Sequence, residues 1–83
     1  MKLLKFYADW CGPCKLMAPL AVKIAEEHDL ELIEINIDED RAQTRAWEVR
    51  GVPTLVLVDE NGGEMKRFVG MSTKLEIEEG LGL

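Results

Sequence analysis

The chain has 83 residues, 47% hydrophobic and 31% charged, which supplies apolar material for one small core and implies a single domain over residues 1–83. A formal net charge of −6 and a pI near 4.7 exclude phosphate-backbone binding, so no nucleic-acid partner is expected. No stretch is apolar enough to span a bilayer and no hydrophobic leader with a cleavage site opens the chain, so a cytoplasmic setting without membrane attachment is expected.

Lys2 to Tyr7 reads as a strand, with Phe6 and Tyr7 as packing residues. A helix is predicted from about Cys14 to His28, with Leu16, Leu20 and Ile24 on one face and Lys15, Lys23, Glu26 and Glu27 elsewhere. Pro19 removes one backbone bond inside it and should bend it, and His28 near its C-terminus suits the helix dipole. A second strand, roughly Leu30 to Ile37, places Ile33, Ile35 and Ile37 on one face and Glu34 and Asn36 on the other. Asp38 suits the N-cap of a helix ending near Gly51, with Trp47 as a core residue. Pro53 stands at the entrance of the run Leu55-Val56-Leu57-Val58, where it cannot supply a ladder hydrogen bond. A hairpin from about Thr54 to Val69 turns at Asn61-Gly62-Gly63, and a last helix opens at Thr73 with Glu76 completing a capping-box pattern.

The order is therefore β-α-β-α-β-β-α. Two strands joined through a helix lie parallel with a right-handed crossover, and the hairpin adds two antiparallel strands, so an α/β fold is expected. Glu26-Glu27, Glu39-Asp40 and Glu76-Glu78-Glu79 read as solvated surface.

The only cysteines lie in Trp10-Cys11-Gly12-Pro13-Cys14-Lys15, just after the first strand. Two thiols at this spacing at the start of a helix can close a small disulfide ring, and free N–H groups with the positive end of the dipole stabilise a thiolate on the first. Cys11 is thus the expected nucleophile. Cys14, further in and expected to be the more buried, resolves the mixed disulfide. Gly12 and Pro13 shape the turn, and Pro13 suits the first helical turn because it lacks an N–H and has a fixed φ. Two other readings compete. Structural zinc usually needs four Cys or His ligands, and only His28 could add to the pair. A permanent structural disulfide would close a loop too short to constrain the unfolded chain much.

WCGPCK followed by Gly51-Val52-Pro53-Thr54 resembles the thioredoxin family, in which the two motifs are paired. The likeness extends through Leu4 to Asp9, Ala18-Pro19, Asn36-Ile37-Asp38 and Val69-Gly70, and so covers nearly the whole chain, apart from the family's usual N-terminal strand and helix. It implies a thioredoxin-like four-stranded mixed sheet in spatial order 2-1-3-4 with three helices and a cis Val52-Pro53 bond. It further implies reduction of protein disulfides through a reversible Cys11-Cys14 dithiol, with no bound cofactor. The implied substrate groove comprises Trp10, Gly51, Val52, Pro53, Gly70 and Met71. Disulfide-containing client proteins, electrons from a thioredoxin reductase or glutathione, and a monomeric state follow from the same likeness. The reduced architecture is shared with glutaredoxins, so a glutathione-dependent reductase is an alternative, as is a binding or scaffold module with an incidental dithiol.

One departure stands out. The family usually has a buried aspartate where this chain has Lys5, and often a lysine where it has Glu34. Either Lys5 is an ordinary exposed residue, or Lys5 and Glu34 form a pair beneath the dithiol that supports its chemistry. Glu31 and Glu34 would also protect the second strand if it forms an open sheet edge.

Overall fold

The computed structural model describes residues 1–83. The elements are β1 (Lys2–Tyr7), α1 (Gly12–Glu27), β2 (Glu31–Asn36), α2 (Arg41–Ala46), β3 (Thr54–Val58), β4 (Glu64–Val69) and α3 (Lys74–Gly80). The strands form one four-stranded mixed sheet in the order β2-β1-β3-β4, as the resemblance implied. β1 runs parallel to β2 and antiparallel to β3, and β4 closes the hairpin with a register shift at Leu57/Val58.

Alternation along the strands sorts the core into two faces. Leu3, Leu55 and Leu57 meet Met17, Ala21 and Ile24 of α1 and Ile77 of α3 on one side. Leu4, Phe6, Ile35, Val56 and Val58 pack on the other, with Trp47 and Val49 against them, so Trp47 does serve the core. β3 is buried along its whole length, as its unbroken apolar run requires.

α1 differs from its expected form at both ends and in its face. It starts at Gly12, with Cys11 as N-cap, and continues through Pro19. Its buried side carries Cys14, Met17, Ala21, Ile24 and Ala25, whereas Leu16 is 65% exposed. Two residues beyond Cys14 is about 200° round the helix, so burying Cys14 turns Leu16 outward.

α2 is shorter than expected and is capped elsewhere. Asp40, not Asp38, accepts from the Gln43 N–H at 3.0 Å. The helix ends at Ala46 rather than near Gly51, because Glu48 adopts a left-handed φ of 54° and the chain closes with Val49 N–H donating to Thr44 O at 3.0 Å.

α3 opens on the expected capping box: Thr73 accepts from the Glu76 N–H, and the Glu76 carboxylate reaches back to the Thr73 backbone. Hydrogen bonds from Ser72 and Thr73 hold the Glu76 carboxyl below its ordinary range. Gly80 lets α3 approach β4, since a Cβ there would meet the Phe68 ring at 2.5 Å.

His28 does more than face the α1 dipole. Its Nε2 lies 2.6 Å from Glu78 Oε2 on α3, and Lys74 bridges Glu78 and Glu27. The hydrogen bond with His28, reinforced by Lys74, holds the Glu78 carboxyl below its ordinary value of 4.5. A depressed carboxyl stabilises the fold fully above that ordinary value and loses its contribution as the pH falls through the lower folded one. Glu78→Gln should therefore flatten the acid limb of a melting-temperature profile taken from pH ~6 to ~2. An acid limb identical to wild type would show that the His28–Glu78 contact carries no stability.

Candidate active site

β1 delivers the chain to the site. After Tyr7 the backbone turns, with Cys11 N–H donating to Ala8 O at 3.1 Å, and Cys11 takes extended N-cap geometry (φ −89°, ψ 105°). From there its Sγ accepts the Cys14 N–H at 3.1 Å. Pro13 occupies the first helical turn, where no N–H is required. The two cysteines form a disulfide, with Cα atoms 5.3 Å apart.

The expected difference in burial between the cysteines is slight: Cys11 is 4% and Cys14 3% exposed. Both sit in a small cluster with Ala8, flanked by Tyr7, Ile37 and Val52. The N-cap position, rather than solvent access, therefore sets the two sulfurs apart.

The Gly51–Thr54 segment reaches this cluster from across the sheet. The Val52-Pro53 bond is cis, and Val52 packs on the cysteine cluster. Thr54 Oγ1 donates to Gly51 O at 2.7 Å, and Gly70 N–H donates to Pro53 O at 2.8 Å, which ties the loop after β4 to the proline. Gly70 has φ +95°, a conformation that side-chain-bearing residues rarely adopt. Met71 follows it and is 39% exposed. Gly12 is exposed, with open space where a Cβ would stand.

Trp10 is 70% exposed, yet its indole N–H donates to Asp38 Oδ2 at 2.9 Å. Asp38 thus anchors the rim of the site instead of capping α2. Its carboxylate at the end of a strand was the available signal, and its cap-like position concealed it. Asn36 holds that turn by accepting from the N–H groups of Asp38 and Glu39.

Lys5 is not a surface residue. It is 4% exposed, and its Nζ lies 2.5 Å from Glu34 Oε2 and 5.1 Å from the Tyr7 ring centroid. Lys5 and Glu34 are register partners across β1 and β2, and both line a cavity of about 420 Å³ that also touches Cys14. No three His, Cys, Asp or Glu side chains converge in a metal-holding group.

A disulfide whose first sulfur takes a hydrogen bond from a helix N-terminus is arranged to exchange with other thiols, which places the molecule among the thiol–disulfide oxidoreductases. The thioredoxin family model matches residues 1–82, and the chain belongs to the thioredoxin family. It is 40% identical over 76 residues to the thioredoxin of Mycoplasma genitalium, covering 90% of this chain and 74% of that protein. It is 38% identical over 73 residues to that of Chlamydia pneumoniae, covering 87% and 71%. Among solved structures, a mutant thioredoxin from Halobacterium salinarum NRC-1 superposes with a TM-score of 0.80 at 41% identity, covering 98% of this chain and 74% of that one. Thioredoxin 1 of Thermosipho africanus gives 0.87 at 29% identity, covering 99% and 91%.

The chain is thus a protein-disulfide reductase of thioredoxin type, with the Cys11–Cys14 disulfide as its redox group. Disulfide clients and a reductase are the partners that this membership implies. No helix is long and apolar enough to cross a membrane.

Proposed function

We propose that Cys11 is the nucleophile and Cys14 the resolving cysteine of a monomeric, cytoplasmic reductase formed by one domain, residues 1–83. The Cys11 thiolate attacks a client disulfide, forming a Cys11–client bond while the other client sulfur leaves as thiolate. Cys14, deprotonated, then attacks Cys11 Sγ. The Cys11–client bond breaks, the client leaves with both sulfurs reduced, and the pair is oxidised by two electrons. The hydrogen bond from Cys14 N–H to Cys11 Sγ carries this assignment, because it favours negative charge on the first sulfur. Gly12 and Pro13 hold the turn in which the ring closes.

Trp10, Gly51, Val52, Pro53, Gly70 and Met71 supply the docking surface for an extended client segment. Its support is the exposure of Trp10, next to Cys11, and of Met71, next to the Gly70 that is hydrogen-bonded to Pro53, together with the packing of Val52 on the cysteines. The cytoplasmic setting draws on the use of both cysteines in one exchangeable pair, with none left for structural bridges.

The electron donor in this reading is a flavoprotein thioredoxin reductase rather than glutathione. Purified protein with catalytic reductase and NADPH should sustain reduction of a small disulfide-bonded protein, while glutathione with glutathione reductase should not. Turnover with glutathione alone would reassign the donor, and turnover with neither would overturn the proposed cycle.

A further inference from the structure

We propose that Lys5 is a positioning residue for the exchange: a buried cation that favours the Cys14 thiolate and makes the Cys11–Cys14 pair a better oxidant. The inference rests on the reading of Cys14 as the resolving cysteine.

Strand alternation turns Lys5 to the same side as Leu3, toward α1, where the cavity behind the disulfide lies. A lysine buried at 4% exposure is uncommon and requires partners. Glu34 and the Tyr7 ring supply them. The pairing does not cancel the charge seen from within, because the Glu34 side chain is 54% exposed and that of Lys5 only 5%. Water screens the carboxylate more than the ammonium, so the cavity retains positive potential. The other titratable groups facing it are Tyr7 from β1, Asp9 from the following turn and Lys15 from α1. Asp9 and Lys15 are exposed, opposite in sign and screened.

A protonated lysine cannot accept the Cys14 proton, so Lys5 does not act as a base. The proton leaves to water in the open cavity, and the cation stabilises the sulfur anion left behind. That anion attacks Cys11 Sγ, the Cys11–client bond breaks, and the electron pair departs on the client sulfur. The oxidised disulfide carries no charge for Lys5 to stabilise. The cation therefore favours the reduced form alone and raises the potential of the pair.

The test compares wild type, Lys5→Met and Glu34→Gln as full chains, by equilibration in glutathione redox buffers and by the pH profile of mixed-disulfide resolution. Lys5→Met should shift the exchange equilibrium toward the disulfide about tenfold, equivalent to about 30 mV toward a more reducing pair, and should raise the pH midpoint of resolution. Glu34→Gln, which leaves the cation less compensated, should move both quantities the opposite way. Methionine is close to lysine in volume and fills the same buried space, and the Glu34 carboxylate that loses its partner is 54% exposed and stays solvated. Should Lys5→Met not fold, Lys5→Gln removes the charge while keeping a donor toward Glu34.

A merely structural Lys5 would leave potential and pH midpoint where they are in a folded neutral variant, and that result overturns the proposal. Shifts of the same sign in the lysine and glutamate variants overturn it too. A wild-type protein with no two-electron couple would instead defeat the dithiol cycle itself, and this inference with it.

Discussion

Replacing Cys14 with Ser is expected to stop the exchange half-way, leaving the client covalently attached to Cys11. Both cysteines are almost equally shielded, at 4% and 3% exposure, so access alone would let either sulfur attack. The N-cap geometry breaks the tie: Cys11 Sγ receives the Cys14 N–H, whereas the Cys14 side chain lies inside the first turn and lines the cavity. Incubated with an oxidised client, Cys14→Ser should gain one client mass in intact-protein mass spectrometry, and dithiothreitol should remove it. Cys11→Ser should gain none. Multiple-turnover reduction should fall by roughly three orders of magnitude or more in both variants, the scale on which loss of a nucleophile acts. Adducts forming on Cys14 in Cys11→Ser, at the rate seen for Cys11, would reverse the assignment.

Phe6→Ala should bring the protein close to unfolding. The ring is fully buried in β1, flanked by Ile35 of β2 and Thr54 of β3, and forms the centre of the core face opposite α1. Truncating a buried phenylalanine costs about 3–5 kcal/mol, against a total stability of about 5–15 kcal/mol for a domain. For a chain of this size the melting temperature should drop by roughly 15 °C or more. Leu16→Ala is the matched control: 65% exposed, it should stay within about 0.5 kcal/mol of wild type. Equal losses in the two variants, measured by urea unfolding, would contradict the division into buried and solvated faces.

The strands, the hairpin and the α3 capping box were legible because each follows from a local pattern, whereas the spatial order of the sheet came from the family resemblance. β3 announces itself by an unbroken apolar run, the hairpin by Asn61-Gly62-Gly63, and α3 by Thr73 and Glu76 three residues apart. The features that were not legible depend on partners distant in sequence. Asp38 and Asp40 are equally good caps by residue type, and what separates them is the Trp10 indole, 28 residues from Asp38, which takes the first and leaves the second to α2. The stop at Ala46 was hidden because Glu48 takes the left-handed conformation that usually marks itself with Gly or Asn. Helical spacing puts Leu16, Leu20 and Ile24 on one face, but spacing alone does not say which way that face turns. Anchoring the helix on Cys14 rotates that row so that only Ile24 is fully buried. The burial of Lys5 could not be chosen between its two readings until the β1–β2 register set Glu34 beside it.

Of the four strands β1 comes earliest in sequence, yet its pairing is completed late. One of its edges is covered by β2, which follows soon after, but its other edge waits for β3, and β3 in turn for the returning β4. Until β3 pairs with β1, the apolar Leu4, Phe6 and Ile35 on the face opposite α1 have no Val56 or Val58 to meet. The cysteines precede in the chain the loop that packs on them, so their shielding is complete only once the distant Val52 has docked.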